Sequence, residues 1–245
     1  MPRRITVVIP THNRPHLLMN ALHTVAAQTQ PPHEVLVVND GDQPLPDTIH
    51  TLGLPLTVLR APTRGVVHAR NHAVTHASGE IIAMLDDDDL WHPGHLQAVT
   101  APLHAGATFA YTDGLIRLQR GTDILEDIPF GLDATTSVLR RTNPILMPAI
   151  AYRRDLHDQH GLYDTALPYY HDWDWYLRLH PHVPLTRVPT PTVTCVTQVE
   201  GGSSSDQRNP AVEANFQQFR RKHDMPELPV HNFLTALRDP ELALS

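Results

Sequence analysis

The chain has 245 residues, enough for one large domain with a substantial buried core. Its net charge of −7 argues against a nucleic-acid binder, which needs positive charge against phosphates, and no apolar stretch approaches the roughly 20 residues that span a bilayer. A single cysteine, Cys195, excludes an intrachain disulfide, and the first strand-like run begins at Ile5, too early for a signal peptide, so we expect a cytoplasmic protein.

Strands and helices alternate in the first half of the chain. A buried strand is predicted at 5–9, and a helix opens at Asn13-Arg14-Pro15, with Asn13 as its N-cap. Further strands are predicted at 34–38, 56–59 and 81–85, and further helices at 67–77, closed by Ser78-Gly79, and from near Pro93. This alternation predicts an α/β fold with a largely parallel sheet and helices on both of its faces.

The alternation breaks after about residue 106. The patterns predict strands at 107–113 and 115–119 around Gly114, an irregular segment at 121–144, a helix at 172–180, short strands at 185–188 and 193–199, a flexible loop at Gly201–Ser205 and an amphipathic helix at 210–222. We expect a single domain over 1–245. Its first half, 1–106, is predicted to bind a nucleotide, and its second half, 107–245, to be more irregular.

Four consecutive aspartates, Asp86 to Asp89, follow the strand predicted at 81–85. Two carboxylates about 4 Å apart near a protein surface repel by roughly 4 kcal/mol, and a cation such as Mg²⁺ or Mn²⁺ would relieve that repulsion. If the extended geometry persists, Asp86 and Asp88 point one way and Asp87 and Asp89 the other. A solvated acidic turn is the alternative. The preceding buried strand favours a metal and phosphate site, because ligands of open α/β sheets bind at the carboxyl ends of strands.

Several segments, in order along the chain, resemble the family-2 glycosyltransferases, which have the GT-A fold. The segments are Val7–Arg14, Val37–Gly41, Gly65, Ala69–Asn71, Gly79–Asp89 and His171–Asp174. Each segment is a weak signal alone, whereas the ordered set is a specific one. The resemblance implies a Rossmann-like nucleotide-binding half with a mostly parallel sheet, and a smaller half that binds an acceptor and carries the catalytic base.

The resemblance implies a binding site for a nucleoside-diphosphate sugar. Its residues would be Pro10, Thr11, Asn13, Arg14, Asp40, Arg70, Asp86 and Asp87. Thr11 and Asn13 offer hydrogen bonds near a helix N-terminus, where phosphate is favoured. The Asp40 carboxylate would accept the N3–H of uracil or thymine, whereas cytosine has an acceptor at that position. The alternatives are helix capping by Asn13, a plain Asp-Gly turn at Asp40 and a surface salt bridge for Arg70.

The resemblance also implies a metal ion and a general base. A divalent cation, Mn²⁺ or Mg²⁺, would bind Asp88 together with Asp86 and bridge the diphosphate. Asp172 would take the proton from the acceptor hydroxyl. His171 stands where the family usually has glutamate. Three roles are open for it: assisting Asp172, replacing Asp172 as the base, or packing against its neighbours without a catalytic role. No histidine lies between 183 and 222 to match a late histidine of the family, so that contact is either missing or supplied by the Ser203–Arg208 loop.

We therefore expect an inverting, metal-dependent glycosyltransferase that moves a sugar from a UDP- or dTDP-sugar to a hydroxyl of an acceptor that the sequence does not identify. A nucleotidyltransferase is one alternative, but it commonly has a glycine-rich basic loop near its first strand, and Pro10–Arg14 contains neither glycine nor lysine. The second alternative is a non-catalytic sugar-nucleotide-binding protein, because His171 alters the catalytic motif.

Overall fold

Residues 3–199 and 209–228 are described by a computed structural model of the chain. The loop predicted at Gly201–Ser205, and with it the Ser203–Arg208 segment, lies outside these residues. No helix within the described ranges is long and apolar enough to cross a membrane.

One mixed sheet runs through the described residues and contains nine strands. The strands are β1 (Ile5–Thr11), β2 (Glu34–Asn39), β3 (Leu56–Arg60), β4 (Ile81–Met84), β5 (Leu90–Trp91), β6 (Phe109–Arg120), β7 (Asp123–Phe130), β8 (Ile150–Arg153) and β9 (Leu185–Gln198). The order is β3-β2-β1-β4-β8-β6-β9-β5, and β7 pairs with β6. Strands β3, β2, β1 and β4 are mutually parallel, whereas β8 is antiparallel to both β4 and β6.

Helices cover both faces of this sheet. They are α1 (Pro15–Ala26), α2 (Val66–His76), α3 (His95–His104), α4 (Thr136–Leu139), α5 (Leu156–His160), α6 (His171–Leu179) and α7 (Pro210–Lys222), with 3-10 helices at Asp47–Leu52 and Met147–Ala149. Alternate residues of β1 enter two different apolar clusters: Val7 packs with α1 and α3, and Val8 with α2, α6 and α7. Burial on both faces explains why β1 and β4 carry no charged side chain and are mostly apolar, with the buried Thr6 and Thr11 as the polar residues of β1.

The predicted α/β fold is confirmed, and in the first half the bounds of β1 to β4 and of α2 differ from the predictions by a residue or two, whereas β5 was not predicted. Two local predictions there are wrong. Asn13 does not cap α1; its backbone is left-handed, with φ 55°, and its Oδ1 accepts hydrogen bonds from the backbone N–H groups of Asp42 and Gln43. Ser78-Gly79 does not close α2 as a left-handed cap, because the helix ends at an extended Ala77.

The second half is more regular than predicted. Gly114 was expected to divide two strands, but β6 passes through it, and a Cβ there would lie 2.6 Å from Val193 Cγ2 and 2.7 Å from Leu146 Cδ1. The glycine therefore permits close packing and makes no turn. The two short strands predicted at 185–188 and 193–199 are one strand, β9, whose register against β6 shifts near Asp113. Strand β7 and helix α4 occupy the segment predicted to be irregular.

Helix α7, predicted at 210–222 and confirmed with those bounds, packs against α6. Phe219 contacts the rings of Tyr170 and Trp173. Beside this apolar contact, the fully buried carboxylate of Asp174 on α6 accepts hydrogen bonds or ion pairs from Arg178, Lys222 and His223 at 2.6–2.9 Å. Burial alone would raise the pKa of Asp174, but these donors outweigh it and lower the pKa to about 2.

We expect Asp174→Asn to loosen α7 from α6. Because the pKa of Asp174 is lower in the folded chain than in the unfolded one, its contribution to stability is complete above pH 4 and is lost as the pH falls toward 2. Urea unfolding at pH 7 should show a free energy of unfolding lower by about 2–4 kcal/mol. Asp158→Asn, at an exposed position of α5, is the matched control. Equal stability of Asp174→Asn and the control would contradict this account.

Candidate functional site

The carboxyl ends of β1, β2 and β4 meet at one edge of the sheet, because the three strands are adjacent and parallel. A cleft of about 740 Å³ opens there, between the sheet and α6. Nine of the ten residues predicted for the site line it: Pro10, Thr11, Arg14, Asp40, Arg70, Asp86, Asp87, Asp88 and Asp172. Asn13 is the exception, since its side chain holds the loop after β2.

The four aspartates follow β4 through a turn, and they alternate between the cleft and the interior. The side chains of Asp86 and Asp88 are 26% and 35% exposed, whereas that of Asp87 is 0% exposed and Asp89 is buried. The alternation expected of an extended chain is therefore present, although the strand itself ends at Met84. Asp86 and Asp88 are the two carboxylates of the run that are accessible to a ligand.

Arg14 at the start of α1 partly neutralises the aspartate run. Its guanidinium lies 2.5 Å from Asp87 Oδ1 and 2.6 Å from Asp88 Oδ2, and Thr11 Oγ1 donates to Asp87 Oδ2 at 2.7 Å. Burial raises the pKa of Asp87 to about 6 even though Arg14 and Thr11 oppose the shift. Thr11 and Arg14, both predicted to contact a nucleotide, thus also hold the aspartate turn in place.

Asp89 ties the aspartate turn to β9 on the other side of the cleft. Its Oδ1 accepts the backbone N–H of Val196 at 2.9 Å, and the following β5 pairs with β9. Burial, followed by repulsion from Asp88 and Asp86, raises the pKa of Asp89 well above its usual value. Sequence reasoning left the role of Asp89 open, because nothing in the sequence shows which strand lies beside it.

Asp40, at the end of β2, is held by two donors. His12 Nδ1 lies 2.8 Å from Asp40 Oδ1, and the backbone N–H of Gly65 donates to Oδ2 at 2.7 Å. A carboxylate has about four acceptor positions, so these two donors leave acceptor positions unused on Asp40, which lines the cleft. His12 is a site residue that the sequence reasoning missed, although it lies inside the first matching segment.

Arg70 on α2 connects the aspartate turn with α6. Its guanidinium donates to Asp86 Oδ1 and contacts Nε2 of His171, the first residue of α6. Burial alone would lower the pKa of Arg70, but the carboxylates of Asp86 and Asp172 outweigh it and the pKa is raised. Arg70 is therefore a buried cation that lines the cleft, and the expected alternative of a surface salt bridge is wrong.

Asp172 lies in the first turn of α6, and Asn143 Nδ2 donates to its Oδ2 at 2.9 Å. Burial raises the pKa of Asp172, although the backbone N–H of Trp173, Arg70 and Asn143 oppose the shift. A raised pKa makes this carboxylate a stronger base than a free aspartate. Asn143 was missed because it comes from the segment predicted to be irregular, where no periodicity marks it.

The oxygen ligands in the cleft fit a divalent cation that binds together with a diphosphate. In the described part of the chain, no three His, Cys, Asp or Glu side chains are grouped so as to hold a metal ion by themselves. Mg²⁺ usually binds through one or two carboxylates and completes its shell with phosphate oxygens and water. The accessible carboxylates of Asp86 and Asp88 match that requirement.

Comparisons with known proteins identify the family of the chain. The model of the family "Glycosyl transferase family 2" matches residues 6–161. An uncharacterized glycosyltransferase of Bacillus subtilis, YwdF, is 31% identical over 98% of this chain and 91% of that protein. The succinoglycan biosynthesis protein ExoW of Rhizobium meliloti is 33% identical over 49% of this chain, a match that spans 44% of ExoW.

Two similar solved structures hold nucleotide sugars. S. aureus TarS 1-349 in complex with UDP-GlcNAc superposes with a TM-score of 0.66 and 17% identity, covering 89% of this chain and 66% of that one. The mannosyltransferase PcManGT of Pyrobaculum calidifontis, in complex with GDP-Man and Mn²⁺, gives a TM-score of 0.61 and 22% identity, covering 94% of this chain and 66% of that one. At these identities the likeness establishes the GT-A fold alone.

We expect Asn143→Ala to raise the pKa of Asp172 further, because the variant removes a hydrogen bond that stabilises the ionised carboxylate. A ¹³C NMR titration of aspartate carboxyl groups measures the pKa, and the signal missing from Asp172→Asn assigns the resonance. Thr142→Ala, at a neighbouring buried residue, is the control. An unchanged or lowered pKa of Asp172 in Asn143→Ala would contradict the assigned contact.

Proposed function

The chain belongs to glycosyltransferase family 2, and from this premise we propose that it transfers a sugar with inversion from a UDP- or dTDP-sugar to an acceptor hydroxyl. The observation that carries the proposal is the cleft itself, which brings two accessible aspartates, a buried arginine and an aspartate with a raised pKa to one edge of the sheet. The first half would bind the donor, and the second half the acceptor.

The donor's nucleoside would lie at the ends of β1 and β2. The free acceptor positions of Asp40 suit the N3–H of uracil or thymine. Cytosine has an acceptor at N3, so the Asp40 carboxylate would stay unpaired opposite it, at a cost of about 1–3 kcal/mol. Pro10 and Thr11 line the cleft beside it. Arg14 and Arg70 supply positive charge toward the diphosphate, and both also form ion pairs with aspartates.

A divalent cation, Mn²⁺ or Mg²⁺, would be held by Asp88 together with Asp86 and would stabilise the negative charge of the leaving diphosphate. Asp88 is the more accessible of the two carboxylates and is held from one side by Arg14. Asp86 is held from the other side by Arg70. The two arginines thus fix the orientation of the carboxylates before any ligand arrives.

Asp172 would act as the general base. Its carboxylate accepts the proton of the acceptor hydroxyl while the hydroxyl oxygen attacks the anomeric carbon and the diphosphate leaves from the opposite face, which inverts the configuration of that carbon. Asn143 orients the carboxylate from one side. Because the base must be ionised, the rate should fall as the pH drops through the raised pKa of Asp172.

The metal role predicts that Mn²⁺ strengthens binding of UDP. Asp88→Ala should lose this dependence, so that its UDP affinity in Mn²⁺ equals the affinity measured with a chelator. We expect the loss of affinity to be about tenfold or more, which corresponds to about 1.4 kcal/mol or more. Isothermal titration with UDP measures the effect of Mn²⁺ on affinity. Titration with CDP, which we expect to bind more weakly, measures the preference of Asp40 for uracil. The exposed Asp47→Ala is the control. Equal UDP affinity of the wild type with and without Mn²⁺ would contradict the proposed metal role.

The catalytic role predicts that Asp172→Asn slows the chemical step and leaves donor binding nearly unchanged. The amide keeps the shape of the side chain but cannot accept the proton, so single-turnover transfer should fall by about 100- to 10,000-fold. UDP affinity and melting temperature, measured on the same preparation, should remain near the wild type. If Asp172→Asn transfers at a normal rate while His171→Ala is inactive, the base is His171 and this assignment is wrong.

A further inference from the structure

Arg70 has one charged and one neutral partner on the two sides of its guanidinium. It is 4% exposed, donates to Asp86 and contacts Nε2 of His171. Its Nε has no hydrogen-bond partner among the described residues. A buried donor without a partner is costly unless a ligand satisfies it, and Arg70 lines the cleft assigned to the donor.

The protonation state of His171 follows from this contact. A guanidinium nitrogen can only donate, so Nε2 of His171 has to accept, and the imidazole must be neutral with its hydrogen on Nδ1. Its surroundings agree, because burial and then the positive charge of Arg70 lower the pKa of His171 well below its ordinary value. His171 therefore holds the guanidinium by a hydrogen bond and adds no negative charge to it.

The neutrality of His171 matters for the charge that remains on Arg70. Within the described residues, Arg70 forms its ion pair with Asp86, and the carboxylate of Asp172 acts on it from a greater distance. A carboxylate in the place of His171 would form a second ion pair and weaken the attraction of Arg70 for an anion. With a neutral acceptor at position 171, Arg70 keeps the single ion pair to Asp86 in the described part of the chain.

We propose that His171 is a positioning residue that fixes Arg70 in the cleft and leaves its positive charge to the diphosphate of the donor. The inference rests on the proposed function, because it assumes that a nucleoside diphosphate binds in this cleft. It gives His171 a role in donor binding that is separate from proton transfer, which stays with Asp172. Three properties of the side chain carry that role: it accepts a hydrogen bond, it is neutral and it is buried.

The test compares His171→Glu with His171→Gln by isothermal titration with UDP and with uridine, in chelator and in Mn²⁺. His171→Glu should pair with Arg70 and weaken UDP binding by about tenfold or more, since an added charge opposes the diphosphate at close range. Uridine, which has no phosphate, should bind as to the wild type. His171→Gln keeps a neutral acceptor, so its UDP affinity should lie within about threefold of the wild-type value.

A double-mutant cycle with Arg70→Gln shows whether His171 acts through Arg70. Arg70→Gln alone should weaken UDP binding, and adding His171→Glu should cause little further loss. Should His171→Glu fail to fold, as its melting curve would show, His171→Leu carries the test. That variant removes the acceptor and should weaken UDP but not uridine, with affinity restored in His171→Gln.

The inference is overturned if His171→Glu, or His171→Leu in its place, binds UDP as tightly as the wild type. It is equally overturned if the variant loses uridine and UDP affinity to the same extent, or if His171→Gln binds UDP as weakly as the glutamate variant, since packing would then explain the result. A wild-type chain that binds no UDP would overturn the proposed function itself, and this inference with it.

Discussion

The repulsion among four consecutive carboxylates at the end of β4 is the constraint around which the cleft is built. Asp87 and Asp89 are buried, so each needs a donor inside the protein, and Asp86 and Asp88 each need a cation beside them. Helices α1 and α2 supply these cations as Arg14 and Arg70. The parallel sheet makes this possible, because it brings the N-termini of both helices to the edge where β4 ends.

The second half of the chain completes the cleft through two connections. Strand β9 holds the aspartate turn, because the backbone N–H of Val196 donates a hydrogen bond to Asp89. Helix α6 brings His171 against Arg70 and Asp172 against Asn143. Helix α7 holds α6 in turn, by aromatic packing and by the donors around the buried Asp174. The stability of the α6–α7 pair and the position of Asp172 are therefore linked, although Asp174 itself lies on the side of α6 that faces α7.

The sequence predicted the first half well because β1, β2 and β4 are buried along nearly their whole length and strands alternate with helices there, so hydrophobicity and chain order reveal most of the elements. It failed where packing decides the outcome. A glycine is equally suited to a turn and to a crowded strand, and only the neighbouring strand and loop show that Gly114 serves close packing. Asn13 is a good cap by residue type, but the loop after β2 competes for its oxygen. Asn143, the partner of Asp172, comes from a segment with no sequence periodicity. The neutral state of His171 follows from its contact with Arg70, which lies about one hundred positions away along the chain.

The central claim, that one cleft binds the donor diphosphate beside the aspartates, is tested most directly by a crystal structure of Asp172→Asn with UDP and Mn²⁺. We expect the cation to bind Asp88, Asp86 and the diphosphate, and the uracil ring to lie against Asp40. Arg70 should contact a phosphate oxygen while it still contacts His171. A nucleotide bound outside the cleft, or a diphosphate that lies away from Asp88, would contradict the account.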